Sequence, residues 1–263
     1  MIANKLCCRG RFYVALVEAR RAGARPAPTG RGWGPARIFG RRTSHGKESS
    51  EMAGTARDKI KPRKPIAIVR LDDLDDALKL SRALLMGGIT SIEFTLTNPQ
   101  AIEVVAQVQR EMGRDVLVGV GTVLDAESAQ ASIDAGAQFL VTPAFLPEVI
   151  EVGRSRDIPV VAGAFTPTEI LAAWRAGADF VKVFPAGGLG PTYIKDVLAP
   201  LPGVALVPTG GVNLDNCAAF LDAGAYTVAI GGNLVSKKIA QQKDWVTLTA
   251  LARQYVEACK GLG

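Results

Sequence analysis

Histidine is nearly absent from this chain, and cysteine is too scattered to build a scaffold. The one histidine among 263 residues is His45, which excludes a histidine-based nucleophile relay and a histidine metal site. The four cysteines form no CxxC pair, which argues against a zinc site or a disulfide framework; they are Cys7, Cys8, Cys217 and Cys259. No apolar run approaches the ~20 residues that span a bilayer, so neither a membrane span nor a membrane partner is expected.

Excess basic charge is confined to the start of the chain. Residues 1–51 carry 11 Lys/Arg against 3 Asp/Glu, whereas the remainder carries 20 against 22. The charge balance of the remainder therefore does not predict a basic surface, and a nucleic-acid partner is not expected.

Residues 1–51 are rich in Arg, Gly and Pro, a composition that predicts a disordered basic extension. The favoured interpretation is a spurious extension that precedes a true start at Met52. An organelle transit peptide and a polyanion-binding tail are the alternatives. The expected location is the cytoplasm, or an organelle if the transit peptide is genuine.

Eight β-rich runs alternate with helical stretches from about Lys64 onward. Strict alternation requires parallel strands joined by right-handed crossovers, and eight such units close into a barrel. An Ala-Gly-Ala stop recurs before three of the strands, as expected where glycine ends a helix. The sequence predicts an α/β fold, a single (β/α)8 TIM barrel over residues 64–263, with a last helix near Trp245–Cys259. The predicted strands are 66–70, 89–96, 116–121, 138–143, 158–163, 179–185, 204–210 and 226–232.

A lysine stands in the middle of an apolar strand, Phe180-Val-Lys-Val-Phe184. A charged ammonium is costly there unless it is paired or its pKa falls. Strand alternation places Val181 and Val183 under the helices and turns Lys182 into the lumen. A desolvated lysine attacks carbonyl carbons readily. Lys182 is therefore the candidate Schiff-base residue, and a structural ion pair with a carboxylate is the alternative.

Glu93 is the matching carboxylate, in the segment Ser91-Ile-Glu-Phe-Thr-Leu-Thr97. The polar residues of this segment alternate with apolar ones and should face the lumen. So many polar groups near the C-terminal end of a barrel strand are not ordinary core filling. Imine chemistry needs a general acid/base, and Glu93 can serve directly or through water. Neutralising Lys182 is a compatible alternative role.

Two glycine pairs follow the last two strands, Gly210-Gly211 and Gly231-Gly232. Barrel enzymes often bind phosphate with the loops after strands seven and eight, where amides accept an anion. A phosphate is therefore expected there, and tight turns are the alternative.

Further polar residues lie at the same predicted rim. Each could contact a substrate oxygen; a surface position is the alternative for Arg70, and turn capping is the alternative for Thr166 and Thr168. They are Arg70 after strand one, Thr122 after strand three, and Thr166 and Thr168 after strand five. Phe184 and Pro185 are expected to shield an imine from bulk water.

Five segments together resemble the 2-keto-3-deoxy-6-phosphogluconate (KDPG) / 4-hydroxy-2-oxoglutarate (KHG) aldolase family. They run in order through residues 64–260, and the V-K-x-F-P and P-T-G-G-V patterns are highly specific. The segments are Ile92-Glu-Phe-Thr95, Gly119-Val-Gly-Thr122, Val141-Thr-Pro143, Phe180-Val-Lys-Val-Phe-Pro185 and Val207-Pro-Thr-Gly-Gly-Val-Asn213.

The resemblance implies a class I aldolase, a lyase that reversibly releases pyruvate and an aldehyde from a 2-keto acid. It further implies a homotrimer of (β/α)8 subunits and no metal or other cofactor, so activity should survive a strong chelator. By resemblance Lys182 forms the Schiff base and Glu93 is the acid/base. Substrate-contacting positions fall on Arg70, Thr122, Pro143, Phe184 and Thr209, and the phosphate loop falls on Gly210 and Gly211.

Two positions depart from the family pattern. Thr97 stands where many members carry an arginine for the substrate carboxylate, as it does in some branches, including a galactonate-type one. Gly232 stands where many carry a serine for the phosphate, which leaves only backbone amides. The sugar configuration and the need for a 6-phosphate stay open. The alternatives are decarboxylation of a β-keto acid such as oxaloacetate by the same imine, and a non-catalytic binding or assembly barrel.

Overall fold

The structure is a computed structural model that describes residue 58 and residues 60–261. The predicted disorder of residues 1–51, with its alternatives, lies outside the described residues. Among the helices of the described range, none is both long enough and apolar enough to cross a membrane.

Eight strands alternate with helices along the described chain. The strands are β1 (Ile66–Val69), β2 (Ser91–Thr95), β3 (Leu117–Gly121), β4 (Leu140–Val141), β5 (Val160–Ala164), β6 (Phe180–Val183), β7 (Leu206–Pro208) and β8 (Ala229–Ile230). The helices between them are α1 (Ala77–Met86), α2 (Ala101–Met112), α3 (Ala126–Asp134), α4 (Pro147–Ser155), α5 (Pro167–Ala176), α6 (Gly190–Leu198) and α7 (Cys217–Asp222). After β8 come α8 (Lys237–Gln241) and α9 (Trp245–Lys260).

The strands form one parallel sheet that curls into a barrel. Their spatial order is β7-β6-β5-β4-β3-β2-β1-β8, and every ladder is parallel. β7 and β8 meet through a parallel bridge between Thr209 and Ala229, and the Tyr226 amide donates to the Leu206 carbonyl at 2.8 Å. The predicted (β/α)8 barrel is confirmed, with strands shorter than predicted because their ends belong to the loops.

Apolar side chains occupy two separate layers. One fills the lumen and the other lies between the strands and the helices, as the period of two in a strand requires. The lumen layer includes Ile66, Leu117, Phe139, Phe180 and Val207. The outer layer includes Ile92, Phe94, Val181 and Val183. The predicted facing of β2 and β6 is therefore confirmed.

Aromatic and aliphatic side chains close the N-terminal end of the barrel. Ile60 is buried in the lumen layer, and its carbonyl accepts a 2.8 Å hydrogen bond from the Tyr226 hydroxyl. The Tyr226 and Phe180 rings lie 5.0 Å apart between centroids. Packing of the barrel thus extends at least to Ile60, four residues before the predicted boundary at Lys64.

The last helix, α9, covers the barrel wall beside α1, as predicted for a helix near Trp245–Cys259. Its buried face consists of Leu248, Ala252, Tyr255 and Cys259. Gly87, just after α1, lets α9 approach, since a Cβ there would lie 2.4 Å from that of Ala252. Cys217 and Cys259, the two cysteines in the described range, are buried free thiols.

Candidate active site

Lys182 lies on β6 and is buried in the lumen, with 4% of its surface exposed. Its strand neighbours Val181 and Val183 face the helices, which leaves the lysine on the inner side. Burial lowers the pKa of the Lys182 ammonium below its ordinary 10.5; the charge of Glu93 opposes this shift and that of Arg70 adds to it. A buried amine that loses its proton more easily is a better nucleophile near neutral pH.

Glu93 lies on β2 and is buried, with 2% of its surface exposed. Burial raises the pKa of the Glu93 carboxyl above its ordinary 4.5, while the positive charges of Lys182 and Arg70 oppose the shift. A carboxyl of raised pKa can hold a proton and give it back, which is the requirement for a general acid/base. Lys182 and Glu93 therefore influence one another electrostatically inside the barrel.

Gly121, on the neighbouring strand β3, provides the space for the Glu93 carboxylate. A Cβ on Gly121 would fall 1.6 Å from Glu93 Oε1, far inside van der Waals contact. Any side chain at this position would displace the carboxylate. In the Gly119-Val-Gly-Thr122 segment, Gly121 thus leaves room for the candidate acid/base because it has no side chain.

A cavity of about 310 Å³ opens at the C-terminal end of the barrel. Among the described residues that line it, two are cations and none is acidic. Its lining comprises Ile68, Arg70, Phe184, Thr209, Gly210, Gly211, Val212, Gly231, Gly232, Asn233, Val235 and Lys237. We call it the anion cavity, because glycine-rich loops and two cations are the groups that bind phosphate or carboxylate.

The anion cavity lies next to the buried lysine. The Phe184 ring, which lines the cavity, has its centroid 4.9 Å from Lys182 Nζ. Arg70 also lines the cavity, and its positive charge lowers the pKa of both Lys182 and Glu93. The two predicted halves of the site, imine chemistry and anion binding, are thus adjacent.

Hydrogen bonds between loops fix the floor of the anion cavity. Gly210 and Gly211 have φ values of 80° and 81°, a left-handed conformation that glycine adopts without strain. The amides of Ala186 and Gly187 donate to the carbonyls of Thr209 and Gly210, each at 2.8 Å. The loop after β6 is therefore held against the loop after β7.

Two asparagines hold the glycine loop from the other side. Asn216 Nδ2 donates to the Gly211 carbonyl at 3.0 Å, and Asn233 Nδ2 donates to the Val212 carbonyl at 2.8 Å. Asn233 comes directly after the second glycine pair, so its side chain ties the loop after β8 to the loop after β7. Both loops thus have their relative positions fixed by side-chain amides.

Seven of the predicted substrate- or phosphate-binding residues line one cavity: Arg70, Phe184, Thr209, Gly210, Gly211, Gly231 and Gly232. Three others do not line it. Thr97 is exposed and its hydroxyl lies 2.8 Å from that of Thr95. Thr122 has a φ of 59°, and the backbone of Pro143 packs against Gly163, the register partner of Lys182.

The structure also adds residues that the sequence argument missed. Asn233, Val235 and Lys237 all line the anion cavity, and none of them was predicted as a site residue. They supply side chains beside the glycine loop, so the contacts available there are not limited to backbone amides. Within residues 60–261, no group of three or more His, Cys, Asp or Glu is placed to hold a metal ion.

The family model for KDPG and KHG aldolase matches residues 56–251. The chain belongs to this family. A 2-dehydro-3-deoxy-phosphogluconate aldolase from Treponema pallidum is 39% identical to it over 194 residues, covering 73% of this chain and 91% of that protein. A 2-dehydro-3-deoxy-6-phosphogalactonate aldolase from Escherichia coli is 34% identical over 194 residues, covering 73% and 95%.

Solved structures agree with this aldolase assignment. A KDPG aldolase from Legionella pneumophila, crystallised with pyruvate captured as a covalent carbinolamine intermediate, is 29% identical with a TM-score of 0.68. The match covers 73% of this chain and 94% of that one. The family, the barrel fold and the aldolase class expected from the sequence are confirmed, and the relatives favour the aldolase over the decarboxylase and non-catalytic alternatives.

Proposed function

We propose that this aldolase cleaves a 2-keto-3-deoxy-6-phospho sugar acid, of gluco or galacto configuration, to pyruvate and a phosphorylated aldehyde. 4-Hydroxy-2-oxoglutarate is the alternative substrate. The observation that carries the proposal is the buried pair of Lys182 and Glu93 in the lumen, next to a cavity with cations and glycine amides. The reactive end of the substrate would lie at the lysine and its phosphate would lie in the anion cavity.

The chemistry begins with the neutral Lys182 amine, which attacks the C2 carbonyl of the keto acid. Glu93 relays a proton to the departing oxygen, so the carbinolamine loses water and becomes a protonated imine. The imine withdraws electrons from C3. When Glu93, directly or through water, takes the C4 hydroxyl proton, the C3–C4 bond breaks and the aldehyde leaves. The enamine is then reprotonated at C3 and hydrolysed to pyruvate and free lysine.

The remaining predicted residues would contact the substrate. Arg70 carries a positive charge that affects the pKa of both reacting groups. We propose that it binds a substrate oxygen, and that Phe184 and Thr209 enclose the imine side of the cavity. Thr97, Thr122 and Pro143 are kept as proposed contacts at the rim. Gly210, Gly211, Gly231 and Gly232 would direct amides toward the phosphate.

The activity is assigned to the barrel of residues 64–263, with residues 1–51 as an extension outside it. The proposed assembly is a homotrimer in the cytoplasm, in keeping with the family resemblance and the proposed small-molecule substrates. A chain in an organelle would require residues 1–51 to act as a transit peptide.

The deciding experiment is borohydride trapping with pyruvate, read by intact-protein mass and peptide mapping. One reduced pyruvate adduct on Lys182 is expected, with none in Lys182→Ala. Lys195→Ala, which removes an exposed lysine of α6, is the matched control and should be trapped like the wild type. A folded protein without an adduct, or with one on another lysine, would contradict the Schiff-base assignment.

A further inference from the structure

Lys237, the first residue of α8, stands between two cavities. On one side is the anion cavity. On the other is a smaller cavity of about 120 Å³, which we call the acidic cavity because its lining includes Asp72, Asp73 and Asp76. Lys237 lines both, so its side chain can carry its charge to either one.

The anion cavity needs more positive charge than glycine amides provide. A phosphate monoester carries about −1.5 to −2 charges near neutral pH. Backbone amides offer only partial charges. In the described lining of the cavity, Arg70 and Lys237 are the full positive charges and no carboxylate opposes them. Arg70 and Lys237 together match the charge of a phosphate dianion.

The ion pair of Lys237 is exposed and easily exchanged. Its Nζ lies 2.6 Å from Asp72 Oδ2, and the two side chains are 62% and 84% exposed. Exposed ion pairs contribute little to stability, since water screens them and both side chains lose rotamer freedom. The lysine ammonium is a compact charge on a flexible side chain, so it can form an ion pair with a different anion. Asp72 itself does not line the anion cavity.

We propose that Lys237 binds the phosphate of the substrate and that Asp72 holds the lysine at the cavity wall when no phosphate is bound. This rests on the proposed function and deepens it, by assigning selectivity for a phosphorylated keto acid to a side chain outside the glycine loops. Lys237 supplies the ionic contact on the β8 side, where Gly232 has no hydroxyl.

The neighbouring lysines do not share this position. Lys243 lines only the acidic cavity and lies 2.6 Å from Asp76 Oδ2. Lys238 is exposed on the same short helix and lines neither cavity. Lys238→Gln therefore removes the same charge from the same helix without touching the proposed contact, and is the matched control.

The test compares cleavage of KDPG with cleavage of its unphosphorylated counterpart. For Lys237→Gln we expect KM for KDPG to rise about tenfold, the usual loss for one contact to a charged group. Its kcat, and its KM for the unphosphorylated acid, should stay near wild type. Lys238→Gln should change neither KM. Equal effects of Lys237→Gln and Lys238→Gln would overturn the inference.

Asp72→Asn separates phosphate binding from a structural role of the ion pair. It breaks the pair but leaves the lysine, so KM for KDPG should stay the same or fall. If Asp72→Asn raised this KM as much as Lys237→Gln does, the ion pair itself would be what matters, and the inference would be wrong.

Binding of inorganic phosphate, followed by titration calorimetry, makes the test independent of turnover. Wild type should bind phosphate more tightly than Lys237→Gln by about tenfold; no binding, or equal binding, overturns the inference. Pyruvate trapping on Lys182 separately reports the proposed function. Absent trapping with intact phosphate binding would refute the Schiff-base proposal alone, whereas normal trapping with unchanged phosphate affinity would refute only the role of Lys237.

Discussion

At the residue scale, the candidate acid/base depends on a neighbour that has no side chain. The Glu93 carboxylate occupies the space where a Gly121 Cβ would stand. Gly121→Ala should push the carboxylate out of place, and a misplacement of about 1 Å can cost roughly 10²-fold in rate. We expect kcat for cleavage to fall by about that factor.

Gly188→Ala is the control for this substitution, because a Cβ on Gly188 meets no atom within 4 Å. Both variants should keep the circular dichroism spectrum of the wild type. If Gly121→Ala retained full turnover, Glu93 would not need its present position, and its role as acid/base would be in doubt.

Gly232 offers the opposite case, a residue where a side chain can be added. Nothing lies within 4 Å of a Cβ built there, and the residue lines the anion cavity. Gly232→Ser should therefore add a hydroxyl donor to a bound phosphate without strain. We expect the dissociation constant for inorganic phosphate to fall by about tenfold, measured by calorimetry.

The matched substitution is Gly188→Ser, which has equal room but does not line the cavity. It should leave phosphate affinity unchanged. An affinity that is the same in wild type and Gly232→Ser would mean that the phosphate does not lie beside the loop after β8.

At the scale of the element, the start of α5 is stabilised by a complete capping box. The Thr166 hydroxyl accepts from the Glu169 amide, while a Glu169 carboxylate oxygen accepts from the amides of Phe165 and Thr166. These bonds, that of the Phe165 amide first, lower the pKa of the Glu169 carboxyl below 4.5. The structure thus gives Thr166 a capping role, one of the two alternatives that the sequence left open.

Thr166→Ala should lower the free energy of unfolding by about 1 kcal/mol, the usual cost of losing an N-cap, and leave KM unchanged. Because the folded protein holds Glu169 ionised, its contribution is present above pH 4.5 and is lost as the pH falls through the lower folded pKa. Thr166→Ala also removes the hydroxyl that donates to the Glu169 carboxylate, and that part of the difference between variant and wild type, measured by urea unfolding, should disappear in acid. A raised KM would instead place Thr166 at the substrate.

At the scale of the whole molecule, the barrel buries Lys182 and Glu93 in its lumen. Burial lowers the pKa of Lys182 and raises that of Glu93, so each charged form is disfavoured by the fold. Between the folded pKa of Lys182 and 10.5, the unfolded chain binds the extra proton, and stability rises with pH. Between pH 4.5 and the folded pKa of Glu93, the Glu93 carboxyl is protonated in the folded chain and ionised in the unfolded chain, so stability falls as the pH rises.

Replacing both side chains should stabilise the barrel while abolishing its activity. For Lys182→Met/Glu93→Gln we expect a free energy of unfolding that is either unchanged or raised by up to about 4 kcal/mol, as for other buried charged pairs. Both pH slopes should flatten. Lys182→Met alone, which leaves Glu93 without the charge of the lysine, serves for comparison and should gain less stability. A double variant clearly less stable than wild type would show that the pair stabilises the fold.

Sequence reasoning located the central pair because both residues break a strict local pattern. A strand has a period of two, so a polar residue among apolar neighbours reveals which side it faces. The glycine pairs were visible for a similar reason, since they follow the last strands of a countable series. Lys237 and Asn233 show no such pattern. Their positions depend on how the segment after β8 packs, which no local periodicity encodes.

The amino-acid sequence by itself determined the eightfold alternation, the inward facing of Lys182 and Glu93, and the family. These follow from short-range periodicity and contiguous motifs. Only the tertiary structure decided which distant residues meet: Glu93 against Gly121, and Lys237 between two cavities. Burial, pKa shifts and cavity volume depend on distances through space, and those distances exist only once the barrel has closed and excluded water.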